Sequence, residues 1–114
     1  MSATPKVTDG GDDEPTRVRI AMPHQLRTLA HVTGEVVVDV APPVTLGATI
    51  DRLEAAYPAL VGTIRERDTG RRRAMVRLYA AGEDYSDAPP DTTLPGPVVA
   101  GREPLRLVGA IAGG

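Results

Sequence analysis

The sequence predicts an α+β domain: a mixed sheet of four to five strands packed on one main helix. Three observations lead there. Apolar residues alternate at Val18, Ile20 and Met22 and again at Val36, Val38 and Val40, the period of half-buried strands. Leu46, Ile50, Leu53 and Tyr57 then recur at helical spacing. Alternation returns at Val76, Leu78 and Ala80 and at Leu105 and Leu107. A sheet and a helix that each carry one apolar face can bury both by packing together.

Taken in order, the first strand is predicted from Arg17 to Met22, closed by Pro23. The mixed segment His24 to Gly34 reads as a wide hairpin loop leading to a second strand, Glu35 to Val40, rich in β-branched residues. Pro42 and Pro43 end that strand. Thr45 suits a helix N-cap, because its hydroxyl can accept a bond from an otherwise unpaired backbone N–H. The helix is predicted over Leu46 to Ala56, and Pro58 stops it because the residue before proline avoids helical geometry.

A third strand is predicted over Ala74 to Ala81, with Val76, Leu78 and Ala80 on one face and Met75, Arg77 and Tyr79 on the other. Gly82, Glu83 and Asp84 read as a turn, and Tyr85 as the start of a short fourth strand. Ala88 to Pro104, with its many prolines, reads as irregular. The last strand is Leu105 to Ile111, with Leu105 and Leu107 inward and Arg106 and Val108 outward. The β-grasp, or ubiquitin-like, roll is a small fold with this element order.

At 114 residues the chain suits one domain. Residues 1–15 are rich in Pro, Gly and acidic residues and read as a disordered tail, which leaves residues 16–114 for the domain. Phe, Trp and Cys are absent, so the core must come from Val, Leu, Ile, Met and Ala. Without cysteine there is no disulfide, thiolate metal site, Cys nucleophile or cysteine-held iron–sulfur cluster. A net charge of −2 from interspersed charges of both signs argues against a nucleic-acid partner. The sequence shows no signal-peptide segment and no apolar run near the length of a membrane span, so the expectation is a cytoplasmic protein with no membrane partner.

No catalytic residue and no metal site is predicted. His24 and His31 read as loop histidines, Asp51 and Glu54 as solvated residues on the polar face of the helix, and Arg71, Arg72 and Arg73 as a solvated run. Gly82-Glu83-Asp84 lacks the Lys-Ser/Thr partner of a phosphate loop. The group that stands out is the terminal pair Gly113 and Gly114, which follows an apolar strand directly. Without Cβ atoms these two residues can thread a narrow channel and leave the last carbonyl open to attack.

The segments TLGATIDRLEAAYP (Thr45 to Pro58), VRLYAAGED (Val76 to Asp84) and the closing AIAGG, with MPHQLR (Met22 to Arg27) and Gly34 before them, together resemble the MoaD/ThiS family of ubiquitin-like sulfur carriers. The AIAGG ending and the TLG helix start look closest to MoaD and to the cysteine-biosynthesis carrier CysO. What the resemblance implies is a protein cosubstrate and not an enzyme, or at most the small subunit of a synthase. A partner enzyme of the ubiquitin-activating type would use ATP to adenylate the carboxylate of Gly114; no cofactor would be bound to the chain itself. The resulting thiocarboxylate would pass sulfur to a second partner, a sulfur-accepting synthase of the molybdopterin, cysteine or thiamine branch. Ala112, Ile111, Val108, Arg106, Tyr79, Arg77 and Met75 are the expected docking surface. A protein modifier joined to lysines through the same end, and a non-catalytic interaction domain, are the alternatives. Gly109, where many members of the family have proline, and Ala81, where asparagine is frequent, depart from the pattern.

Overall fold

A computed structural model describes residues 14–109. Five strands form one sheet in the order β2-β1-β5-β3-β4. β1 (Thr16–Ala21) and β2 (Val36–Val40) are antiparallel, with Val18 opposite Val38. β5 (Leu105–Val108) lies parallel to β1, with Ile20 opposite Leu105, and antiparallel to β3 (Arg77–Ala80), with Leu78 opposite Leu107. The two-residue strand β4 (Glu83–Asp84) closes the far edge.

Every alternation read from the sequence places its apolar set on one face. Val18, Ile20, Val36, Val38, Val40, Leu78, Ala80, Leu105 and Leu107 are all buried. Against them lies α2 (Leu46–Ala56), which buries Leu46, Thr49, Ile50 and Leu53. Its ends follow from local chemistry. The Thr45 hydroxyl accepts a hydrogen bond from Ala48 N at 3.1 Å, and at Pro58 the chain passes into a single 3-10 turn, Pro58–Leu60. Thr49 is fully buried, and its hydroxyl donates to the Thr45 carbonyl at 2.8 Å, so no polar group is left unpaired there. Arg52, on the exposed side of α2, donates to the Asp39 carbonyl of the edge strand β2.

Four expectations need correction. The wide loop after Pro23 holds a short helix, α1 (His24–Ala30), whose anchor is the buried Leu26 and whose end is set by His31 in the left-handed region at φ 59°. Ala81 (φ 51°) and Gly82 (φ 81°) make the β3–β4 turn, so the fourth strand is Glu83–Asp84 and not a segment starting at Tyr85. A two-residue hairpin loop of this kind needs positive φ at both central positions, which shifts the pairing two residues earlier. The proline-rich stretch carries a four-residue helix, α3 (Gly96–Val99), and contributes Leu94 and Val98 to the core. It is fastened to the start of α2, with Leu46 N and Gly47 N donating to the Thr92 and Pro90 carbonyls at 2.9 and 2.8 Å and Leu94 N to the Val44 carbonyl at 2.9 Å. Finally, β3 is shorter than predicted and begins at Arg77, although Val76 keeps its inward orientation at 2% exposure.

Candidate functional site

Among the predicted docking residues, five lie in the described part, and the sheet brings four of them into two adjacent cross-strand pairs. Tyr79 is opposite Arg106 and Arg77 is opposite Val108, across β3 and β5. The first pair extends into a row over four strands, because Ala21 of β1 pairs with Arg106 and Asp84 of β4 pairs with Tyr79. Residues opposite one another share a face, and this face is the outer one. Met75, just before β3, is 50% exposed and Val108 is 45% exposed, so two large apolar side chains stand in solvent beside three charged ones. An apolar surface rimmed by charge is a feature of protein-docking sites.

The charges on this face are partly neutralised in pairs. Arg77 donates to the Asp84 carboxylate. Ser86, through its side chain and its N–H, and then Arg77 hold the Asp84 carboxyl down at about 2. Arg19 forms a two-pronged contact with Glu35 at 2.8 and 3.1 Å, and this hydrogen bonding is the main cause that lowers the Glu35 carboxyl, with the charge of Arg106 adding to it. The Arg106 guanidinium has no hydrogen-bond partner among the described residues.

Ala112, Ile111, Gly113 and Gly114 lie outside the described residues. What the structure does give is the strand that leads to them. β5 sits between β1 and β3: Leu105 and Arg106 pair with β1, and the whole strand through Val108 pairs with β3. Gly109 follows at φ 132°. Proline, whose ring fixes φ near −65°, cannot take that conformation.

A cavity of about 500 Å³ lies on the helix side of the sheet and is lined by Leu46, Ile50, Arg65, Arg71, Arg72 and Ser86 among others. Two of its three arginines are committed internally. Arg65 pairs with Glu54 at 2.9 Å and with Asp51, so the two helix carboxylates read as solvated instead hold one guanidinium between them. Arg72 donates to the carbonyls of Ser86, Arg73 and Val76 at 2.7, 3.0 and 2.8 Å and pairs with Asp87 at 3.2 Å. The basic run is thus partly a structural brace, which a sequence cannot distinguish from a solvated run. Among the described residues no group of His, Asp and Glu is arranged to hold a metal ion, and no helix is long and apolar enough to cross a membrane.

No protein-family model matches the chain, and neither does any curated protein. Solved structures do resemble it. SAMP1 of Haloferax volcanii superposes with a TM-score of 0.66 at 23% identity, over 86% of this chain and 99% of that one. A chain of the Amycolatopsis orientalis BexX/CysO complex gives 0.63 at 18% identity, over 85% and 99%. The solution structure of the Haloferax volcanii HVO 2177 protein gives 0.66 at 19% identity, over 94% of each chain. With two antiparallel hairpins, a parallel pair at their junction and one main helix beneath, the chain has the ubiquitin-like β-grasp fold.

Proposed function

We propose that the chain is a sulfur carrier that works through the carboxylate of Gly114. The observation that carries this reading is that β5, the strand leading to Gly113 and Gly114, is an inner strand of a β-grasp sheet, paired with β1 at its start and with β3 along its length, and that the outer face next to it presents Met75, Tyr79, Arg106 and Val108. Such a strand is a rigid handle for a slender end. A carboxylate is a poor acyl donor because its leaving group is oxide or hydroxide. In the proposed cycle a Gly114 carboxylate oxygen attacks the α-phosphorus of ATP on a partner enzyme of the ubiquitin-activating type, and pyrophosphate leaves. Hydrosulfide then attacks the acyl carbon of the mixed anhydride, AMP leaves, and a proton is released as the thiocarboxylate forms. A synthase that accepts sulfur is the second partner. The carrier supplies no acid or base.

Incubation with such an activating enzyme, ATP and hydrosulfide is expected to raise the intact mass by the replacement of one oxygen with sulfur. Removal of Gly113 and Gly114 is expected to abolish this with the unfolding transition unchanged. No mass change with the full chain, or an unimpaired truncated chain, would overturn the reading.

The likeness to SAMP1, which is also described as small archaeal modifier protein 1, favours a second reading in which the same activated end is joined to lysines. Gly-Gly remnants on lysine side chains in digests of the host's proteins, lost when Gly113 and Gly114 are deleted, would decide for it.

A further inference from the structure

We infer that Gly109 is a positioning residue for the C-terminal carboxylate, its backbone fixing the direction in which the chain leaves β5 by passing directly against the main chain of Met75 and Val76. This rests on the proposed activation of Gly114.

The contact distinguishes Gly109 from other glycines with positive φ. Around Gly70, Gly82 and Gly101 an added Cβ would meet nothing within 4 Å, and at Gly62 it would meet only the far end of the Arg67 side chain. At Gly109 it would lie 2.0 Å from the Met75 carbonyl oxygen, 3.1 Å from that carbonyl's carbon and 3.4 Å from the Val76 Cα. These are backbone atoms, so no rotamer change clears the way. The conformation adds to the constraint, since φ 132° is open to glycine and strained for any L side chain.

The wall that Gly109 meets is itself held. Val76 is 2% exposed, and its N–H donates to the Arg73 carbonyl at 3.0 Å. Arg72 donates to the Val76 and Arg73 carbonyls, and Arg73 N donates to the Ile64 carbonyl at 2.9 Å. The arginine run, which the activation chemistry does not use, thus acquires a role. It fixes the 73–76 segment, and the backbone of that segment lies so close to position 109 that only glycine fits against it. A side chain at position 109 must displace either this wall or the backbone of residue 109 itself, and small displacements of a reacting group carry large kinetic costs.

The test is steady-state kinetics of adenylation with the carrier as the varied substrate, for the wild type and Gly109→Ala. The expected result is a fall in kcat of about a hundredfold with KM little changed, because the outer sheet face still docks while the carboxylate is misdirected. A purely structural role would lower the folded fraction and raise the apparent KM, leaving kcat at saturation intact. A semisynthetic chain with D-alanine at 109 serves as the second variant. D-alanine accepts positive φ and carries its methyl on the side away from the Met75 carbonyl, so it is expected to keep most of the wild-type kcat even if Gly109→Ala fails to fold. Wild-type kcat in Gly109→Ala, or an equal loss in the D-alanine chain, overturns the inference alone. A wild-type chain that is not adenylated overturns the proposed function and this inference with it.

Discussion

The inner and outer faces of the sheet come from the same short strands and differ residue by residue. On the inner face Val18, Ile20, Val36, Val38, Val40, Leu78, Ala80, Leu105 and Leu107 are each 5% exposed or less. On the outer face Val37 and Val108 are 44% and 45% exposed, and their neighbours across the strands are Arg19 and Arg77. The inner face is uniform and aliphatic, so what it encodes is burial. The outer face mixes cations, an aromatic and exposed aliphatics in fixed register, and under the proposed function it is the face that meets a partner. Changes on one face should therefore be read in unfolding free energy, and changes on the other in the kinetics of activation.

Four substitutions sharpen or break that division. The largest stability effect is expected beneath the sheet: Leu53→Ala, at a fully buried position on α2, should lower the unfolding free energy by about 2–5 kcal/mol in denaturant titration. A loss of a few tenths would mean that the helix is not packed as described. Arg106→Glu on the outer face should change stability by less than about 0.5 kcal/mol. It should also raise the KM for the activating enzyme roughly tenfold, about 1.4 kcal/mol in docking. An unchanged KM would place docking elsewhere on the molecule. Thr45→Ala removes the cap of α2 and should cost about 1 kcal/mol without altering activation kinetics.

The smallest effect is expected at the outer edge of the sheet. Asp84 has its folded-state pKa lowered from 3.8 to about 2, so its ion contributes stability that is present above the unfolded value and is lost as pH falls through the folded one. Thermal unfolding of wild type and Asp84→Asn followed across that window should show the wild type ahead at the upper end and the two curves meeting at the lower. Parallel curves throughout would remove the Ser86 and Arg77 contacts as the cause.

Much of this is legible in the sequence. Thr45 and the spacing of Leu46, Ile50 and Leu53 locate α2 to the residue, since cap chemistry and a helical apolar period are both local. The inward sets of β1, β2, β3 and β5 follow from alternation, a property of the strand itself. What escaped depends on contacts between segments distant in sequence. α1 has seven residues and one buried anchor, too few for a period to show. Leu94 and Val98 lie in a proline-rich stretch with no period at all, and what fastens that stretch is a set of backbone hydrogen bonds linking Pro90, Thr92 and Leu94 to the start of α2. Arg77, Tyr79, Arg106 and Val108 share the outer face as the alternation implied, whereas which of them stand opposite one another is set by a register between strands distant in sequence. Gly109 stood out in sequence only as a departure from a family pattern, because the contact that requires glycine there is with a carbonyl more than thirty residues upstream.

The way the sheet is finished at its sides bears on how such a chain could be kept at high concentration. Open strand edges invite pairing with another chain, and long apolar edges seed aggregation. Here one border, β4, is only two residues long and both are acidic, Glu83 and Asp84. The other, β2, is five residues long, carries Asp39 and is followed by Pro42 and Pro43, and Arg52 already occupies one of its carbonyls. Each border offers an incoming strand a short and charged template. A domain that buries an aliphatic sheet without a single phenylalanine, tryptophan or cysteine thereby gains protection against polymerising through its own backbone.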